Sequence, residues 1–231
     1  AKAAPSYAYA KSIIKVINEV ANLVNHDHTI GDKLKIVFLP NYNVSLAEKI
    51  IPAADVSEQI SLASKEASGT SNMKLMLNGA ITIATLDGAN VEIRDAVGDE
   101  NIYIFGLTEA EVYAYYENKN YSSREVYETN PIVHRVLNAF VDGSIPNIER
   151  EGQEIVDSLL LYNDEYFLLR DFDAYCKAQA RLNQDYQDAT HWQKCSLINI
   201  ANAGTFSADK TVKQYAEDIW QIEPLFAHKG R

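Results

Sequence analysis

A chain of 231 residues with 47% hydrophobic and 23% charged residues is long enough to bury a core and reads as a globular protein of one domain or slightly more. Its formal net charge of −11 argues against nucleic acid and anionic membranes as partners, because both call for a basic face. No run reaches the roughly 18 to 20 consecutive apolar residues of a membrane span, and no apolar stretch with a small-residue cleavage site opens the chain, so no membrane partner and a cytoplasmic location are expected.

In chain order, residues 5–25 place Ile13, Ile14, Ile17, Ala21 and Val24 at helical spacing, with Pro5 acceptable in a first turn. The run LKIVFL at 34–39 is nearly continuously apolar and predicts a strand covered on both faces, ended by Pro40, Asn41 and Tyr42. Ser45 with Glu48 reads as a capping box opening a short helix that Pro52 closes. A strand is expected at 56–62. A run of small polar residues then leads into a short apolar helix ending at Asn78 and Gly79, followed by a strand at 81–85. The turn at 87–90 should be structural, with Asp87 and Asn90 bonding local backbone. A strand at 102–105 precedes a helix capped by Thr108 and Glu111. From about residue 121 the pattern is helical, with segments at 123–127, 132–140, 152–161, 173–186, 190–203 and 207–220.

The fold class is therefore α/β, a parallel sheet in the first half and helices in the second. The chain opens without methionine directly into a helix, so the strand that should precede that helix in a doubly wound unit is missing, and a piece of a longer protein is expected. Cys176 and Cys195 have no metal-type partner spacing; they are expected to be free, buried thiols, and no metal site is expected. His26 and His28 flank Asp27 without further ligands at suitable spacing.

The segment from Glu66 to Lys74, EASGTSNMK, carries the chemistry. Its small residues let backbone N–H groups face one concavity at the start of a helix, which suits a phosphate. Lys74 follows by about one turn, flanked by Met73, Leu75 and Met76. A lysine in an apolar wall loses its charge more easily, and a neutral amine is what condensation with an aldehyde requires.

The runs SLAEKIIPAADVSEQIS, EASGTSNMKLMLNGAITIATLDGANVE and IYIFG, in that order, resemble the C-terminal lobe of the glycogen and maltodextrin phosphorylases, the α-glucan phosphorylase family. The closing run NIANAGTFSADKTVKQYAEDIWQIEP, from Asn199 to Pro224, is similar as well. The resemblance implies a Rossmann-like parallel sheet with helices on both faces, part of the C-terminal lobe of a B-type glycosyltransferase fold. Residues 1–120 would be its α/β cofactor-binding part and 121–231 a mainly helical part with the closing helix. It further implies reversible phosphorolysis of terminal α-1,4 bonds of an α-glucan by orthophosphate, giving glucose 1-phosphate, with pyridoxal 5'-phosphate as cofactor. Lys74 matches the lysine that holds that cofactor covalently. Gly69, Thr70 and Ser71 match the turn against its phosphate, and Tyr42 a tyrosine beside it. Glu66, Ser68 and Gly69 match positions that bind glucosyl hydroxyls, and Lys74 and Glu66 are the two residues expected to carry the catalytic role. The family usually has glycine at Ser71 and a basic residue at Asn43.

By the same resemblance, the N-terminal lobe of the same protein is missing. The chain alone is then expected to be inactive, and the full-length protein to be a homo-oligomer. The closing helix would cross to that lobe, exposing a stripe of Val212, Tyr215, Ala216, Ile219 and Trp220 here. The competing readings are a cofactor-free association or folding module and a nucleotide-sugar-binding glycosyltransferase lobe. Against nucleotide binding stands the lack of a G-x-G-x-x-G turn after a strand.

Overall fold

A computed structural model describes residues 2–223, so Pro224, the end of the resembling run, lies outside the described residues. The first helix, α1, covers Ala8–His26. The expected strand at 34–39 does not form: its backbone is extended at Leu34 but joins no sheet, and Leu34 and Val37 are 52% and 63% exposed. A strand exists only beside another backbone. Here a side chain substitutes for one: Asn25 Oδ1 accepts from Ile36 N–H at 2.9 Å and its Nδ2 donates to Ile36 O at 2.8 Å. Helix α2 (Val44–Ile50) is opened by Asn43, whose Oδ1 accepts from Leu46 N–H at 3.1 Å, and not by Ser45 as expected. Asn43 stands one position ahead of the first helical residue, Val44, where the first-turn N–H groups are in reach.

Strand β1 (Val56–Gln59), helix α3 (Ser71–Leu77) and strand β2 (Ile81–Ala84) follow. Helix α4 (Asn90–Val97) goes beyond the turn expected at 87–90. Its Asn90, Val91 and Asp95 are poor helix formers, and burial of Ile93 and Val97 decides the outcome. After β3 (Tyr103–Ile104) come α5 (Glu109–Asn118), α6 (Ser123–Thr129), α7 (Pro131–Ala139), α8 (Glu149–Val156), α9 (Leu168–Tyr186), α10 (Ala189–Asn202) and α11 (Ala208–Gln214). Thr108 and Glu111 form the expected capping box on α5. Both cysteines are free, but only Cys195 is buried; Cys176, on α9, is exposed, contrary to expectation. No helix among the described residues is long and apolar enough to cross a membrane.

Contacts divide the chain into two units, neither of them continuous in sequence. One contains Ile51–Phe105 and the described residues from Ala178 onward. Its three strands run parallel in the order β1-β2-β3, with α3 and α4 as the two crossovers. All four residues of β2 are buried, which accounts for its apolar Ile81, Ile83 and Ala84 on both faces of the strand. The core gathers Met76, Ile93, Val97, Ile102 and Ala203, with Ile198 and Phe206 packed on it. Burying Met76 completely stabilises this unit by about 1.5–3 kcal/mol.

The last helical stretch, α11 continued by a π-helical segment at Tyr215–Trp220, leaves Val212, Ile219 and Trp220 55%, 64% and 54% exposed. An apolar stripe of this kind seeks cover. Sedimentation velocity should therefore show association that grows with concentration and weakens in an I219E/W220E variant. A strict monomer at high concentration would contradict this.

The other unit contains the residues up to Ile50 and Gly106–Lys177. Here α1 packs on α8: Ser12 Oγ donates to Glu154 Oε2 at 2.6 Å, and Lys15 Nζ meets Glu151 Oε2 at 3.0 Å. Val133 and Leu137 of α7 pack with Leu159 and Leu169. The loop before α9 places Asn163, Asp164 and Phe167 at φ 57°, 49° and 51°. Asp164 holds it: its Oδ2 accepts from Leu169 N–H at 2.7 Å and Tyr121 O–H at 2.8 Å. Burial pushes both the Asp164 carboxyl and the Tyr121 phenol above their ordinary values.

Candidate functional site

Glu66, Ser68, Gly69, Thr70, Ser71 and Lys74 all fall in the unit with the parallel sheet, on the segment that leaves the carboxyl end of β1 and enters α3. Parallel α/β sheets bind ligands at that end, where loops from adjacent strands face one opening. The second loop, after β2, braces the first. Glu66 N–H donates to Asp87 Oδ2 at 2.8 Å, and Ala89 N–H to Ser68 O at 2.9 Å. A Cβ on Gly88 would lie 2.8 Å from Ser68 O, so only glycine permits this approach, at φ +51°.

Beneath the loops lies a buried amide relay. Asn72 Nδ2 donates to Asn90 Oδ1 at 3.0 Å and to Ser68 O at 3.2 Å, and Asn90 Nδ2 donates to Thr85 O at 3.2 Å. Asn72 and Asn90 are 1% and 2% exposed, so every one of these bonds matters, since a buried unpaired amide is costly. Gly69, at φ +84°, sits so close that a Cβ would be 2.9 Å from Asn72 Oδ1. Asp87 was expected to bond local backbone; its partner is instead 21 residues away, and Asn90 bonds both locally and across to α3.

Glu66 is half-buried, and its Oε2 accepts from Ser61 Oγ at 3.0 Å. That leaves acceptor capacity on the carboxylate for further hydroxyls. Ser68, Thr70, Ser71 and Lys74 are exposed. Thr70, the N-cap of α3, makes no side-chain cap bond, so the first-turn N–H groups of α3 are not closed off by their own cap. The apolar wall expected around Lys74 is absent: Met76 turns into the core while Lys74 stays on the exposed side of the same helix. Two residues of α-helix rotate the side chain by about 200°, so apolar neighbours in sequence are not neighbours in space. Among the described residues the Lys74 ammonium has no ion-pair partner. Tyr42 belongs to the other unit, just ahead of α2, and is 37% exposed.

These groups suit a phosphate ester that carries an aldehyde. A primary amine stands one turn beyond a small-residue turn whose hydroxyls and N–H groups are donors; of the two carboxylates nearby, that of Glu66 accepts from Ser61 Oγ and that of Asp87 accepts from Glu66 N–H. Sequence reasoning named the 87–90 turn as structural but missed that Asp87 and Ala89 brace the first loop and that Asn90 pairs with Asn72. The signal for them was the unusual turn Asp87-Gly88 between strand and helix.

The molecule is thus of the parallel α/β class, with binding groups gathered beyond the carboxyl ends of adjacent strands. A family model described as carbohydrate phosphorylase matches residues 1–222, and the chain belongs to that family. It is 52% identical over 225 residues to the glycogen phosphorylase of Bacillus subtilis (strain 168), covering 97% of this chain and 28% of that relative. It is 48% identical to the glycogen phosphorylase of Synechocystis sp. over 97% of this chain, and 47% identical to the human liver form over 96% of it; each match covers 26% of the relative. The chain therefore spans little more than a quarter of the length of these curated relatives.

Proposed function

We propose that this chain carries the cofactor-binding and part of the glucosyl-binding apparatus of an α-glucan phosphorylase that uses pyridoxal 5'-phosphate. The reaction is reversible phosphorolysis: orthophosphate cleaves a terminal α-1,4 bond of a glucan and releases glucose 1-phosphate. The observation that carries the reading is the unpaired, exposed Lys74 one turn after the turn at 69–71, inside a chain matched by the family along nearly its whole length.

Lys74 is the covalent tether, and Gly69, Thr70 and Ser71 hold the cofactor's phosphate through N–H and hydroxyl donors. When bound, the cofactor supplies a phosphate group that exchanges a proton with the substrate phosphate. Glu66, Ser68 and Gly69 bind glucosyl hydroxyls; the Glu66 carboxylate, an acceptor only, takes the hydroxyl protons. Asp87 and the amide relay keep those groups in place before the sugar arrives, which reduces the ordering cost of binding. For Tyr42 the resemblance alone implies a role beside the cofactor. The remaining partners are the rest of a longer protein, which supplies the other wall of the catalytic cleft, and further copies of it in a cytoplasmic homo-oligomer.

Incubation with pyridoxal phosphate, borohydride reduction and peptide mapping should leave a pyridoxyl group on Lys74, and a K74A variant should retain none after desalting. A stable adduct elsewhere, with Lys74 unmodified in folded protein, would sink the assignment.

A further inference from the structure

The side chains at the end of β1 point to a role for Gln59 that deepens the cofactor reading above and rests on it. Gln59 Nε2 donates to Ser57 Oγ at 3.0 Å and lies 3.3 Å from Ser71 Oγ, while Ser71 Oγ lies 3.4 Å from Gln59 Oε1. Ser57 is 1% exposed and anchors the amide from the buried side of the strand; Gln59 is half-buried and Ser71 exposed. Where the resembling family has glycine, this chain therefore has a hydroxyl, and that hydroxyl is gathered against β1.

An amide nitrogen carries two protons, and a hydroxyl has one proton and two lone pairs. Ser57 takes one proton of Gln59 Nε2, and the second is available to a lone pair of Ser71 Oγ. In that arrangement the Ser71 proton is free for an anionic oxygen outside the pair. With no anion present, the same hydroxyl can return its proton to Gln59 Oε1. Neither arrangement requires a change of side-chain rotamer, and a hydroxyl whose oxygen accepts a bond is a better donor through its own proton.

We propose that Gln59 is a positioning residue that sets the Ser71 hydroxyl as a side-chain donor to the phosphate group of the bound cofactor, a contact that a glycine at this position cannot make. A hydrogen bond to a charged oxygen is stronger than one between neutral groups, so its loss should be legible as an affinity change confined to ligands that carry the phosphate.

The test compares dissociation constants for pyridoxal phosphate and for pyridoxal, which has the aldehyde and ring but no phosphate. Both are measured by absorbance titration of the full chain as wild type, S71A, S71G, Q59A and Q59A/S71A. Ser71→Ala and Ser71→Gly should weaken pyridoxal phosphate roughly tenfold and leave pyridoxal unchanged. Gln59→Ala should weaken pyridoxal phosphate to a smaller extent, and should add nothing once Ser71 is already alanine, because a residue acting only through another has no effect in its absence. The proposal is overturned if S71G binds pyridoxal phosphate as tightly as the wild type or tighter. It is equally overturned if pyridoxal is lost in parallel, or if Q59A keeps its full effect in the S71A background. A wild-type chain that takes up neither aldehyde overturns the cofactor reading itself, and this proposal with it, and is distinguished from those outcomes by the wild-type titration alone.

Discussion

Gly152→Ala should lower the thermal midpoint of the chain by several degrees while Gly204→Ala leaves it nearly unchanged. Gly152 lies buried in α8, and a Cβ there would intrude on the carbonyl oxygen of Phe140, the C-cap residue of α7. That oxygen is backbone and cannot swing aside as a side chain would, so either α8 moves away from it or the end of α7 unwinds. Overpacking of this kind costs about 3 kcal/mol, and alanine's better helix propensity recovers about 1 kcal/mol, leaving a net loss of about 2 kcal/mol. In a chain of this size that corresponds to roughly 4 to 8 °C. At Gly204 nothing lies within 4 Å of the corresponding Cβ, which makes it the control for the general effect of replacing glycine. Calorimetry of the two variants checks the prediction, and equal midpoints would mean that the α7–α8 contact is not as tight as described. Because α8 also packs on α1, the Ser12–Glu154 and Lys15–Glu151 contacts should loosen together with it.

Loaded with pyridoxal phosphate, the chain should produce glucose 1-phosphate from maltoheptaose and orthophosphate at a rate on the order of ten-thousandfold below that of a full-length phosphorylase. Its span is little more than a quarter of the relatives' length, and the groups described beyond β1 and β2 make one wall of a site. Ser68, Thr70, Ser71 and Lys74 are exposed there. Water is then not excluded, and of the two lysines on the segment, Lys65 and Lys74, the second serves as the tether, which leaves few cations to stabilise charge on a transferring phosphate. Each of those deficits is worth roughly a hundredfold in rate. A coupled assay for glucose 1-phosphate decides the matter, and turnover near that of a full-length phosphorylase would reveal a self-contained catalytic site. Cofactor uptake should survive in the same preparation, since Lys74 and the turn at 69–71 are all present on one segment.

What could be read from residue order alone was whatever depends on near neighbours along the chain. The turn of small residues running into a helix and ending in Lys74 is local, and so are the Thr108–Glu111 capping box and the helical spacing beyond residue 121; each stands in the structure where the pattern predicts it. The strand expected at 81–85 likewise forms, as β2. Tertiary structure decided everything that requires a second segment. The run at 34–39 has the composition of a strand but joins no sheet, and Asn25 bonds Ile36 where a neighbouring strand would. Helix α4 forms in spite of Asn90, Val91 and Asp95 because Ile93 and Val97 pack in the core. Lys74 escapes its apolar neighbours because helical rotation sends Met76 inward and the lysine outward. Asp87 finds Glu66 across 21 residues because two parallel strands bring their following loops side by side, and no periodicity in a sequence records which loops will meet.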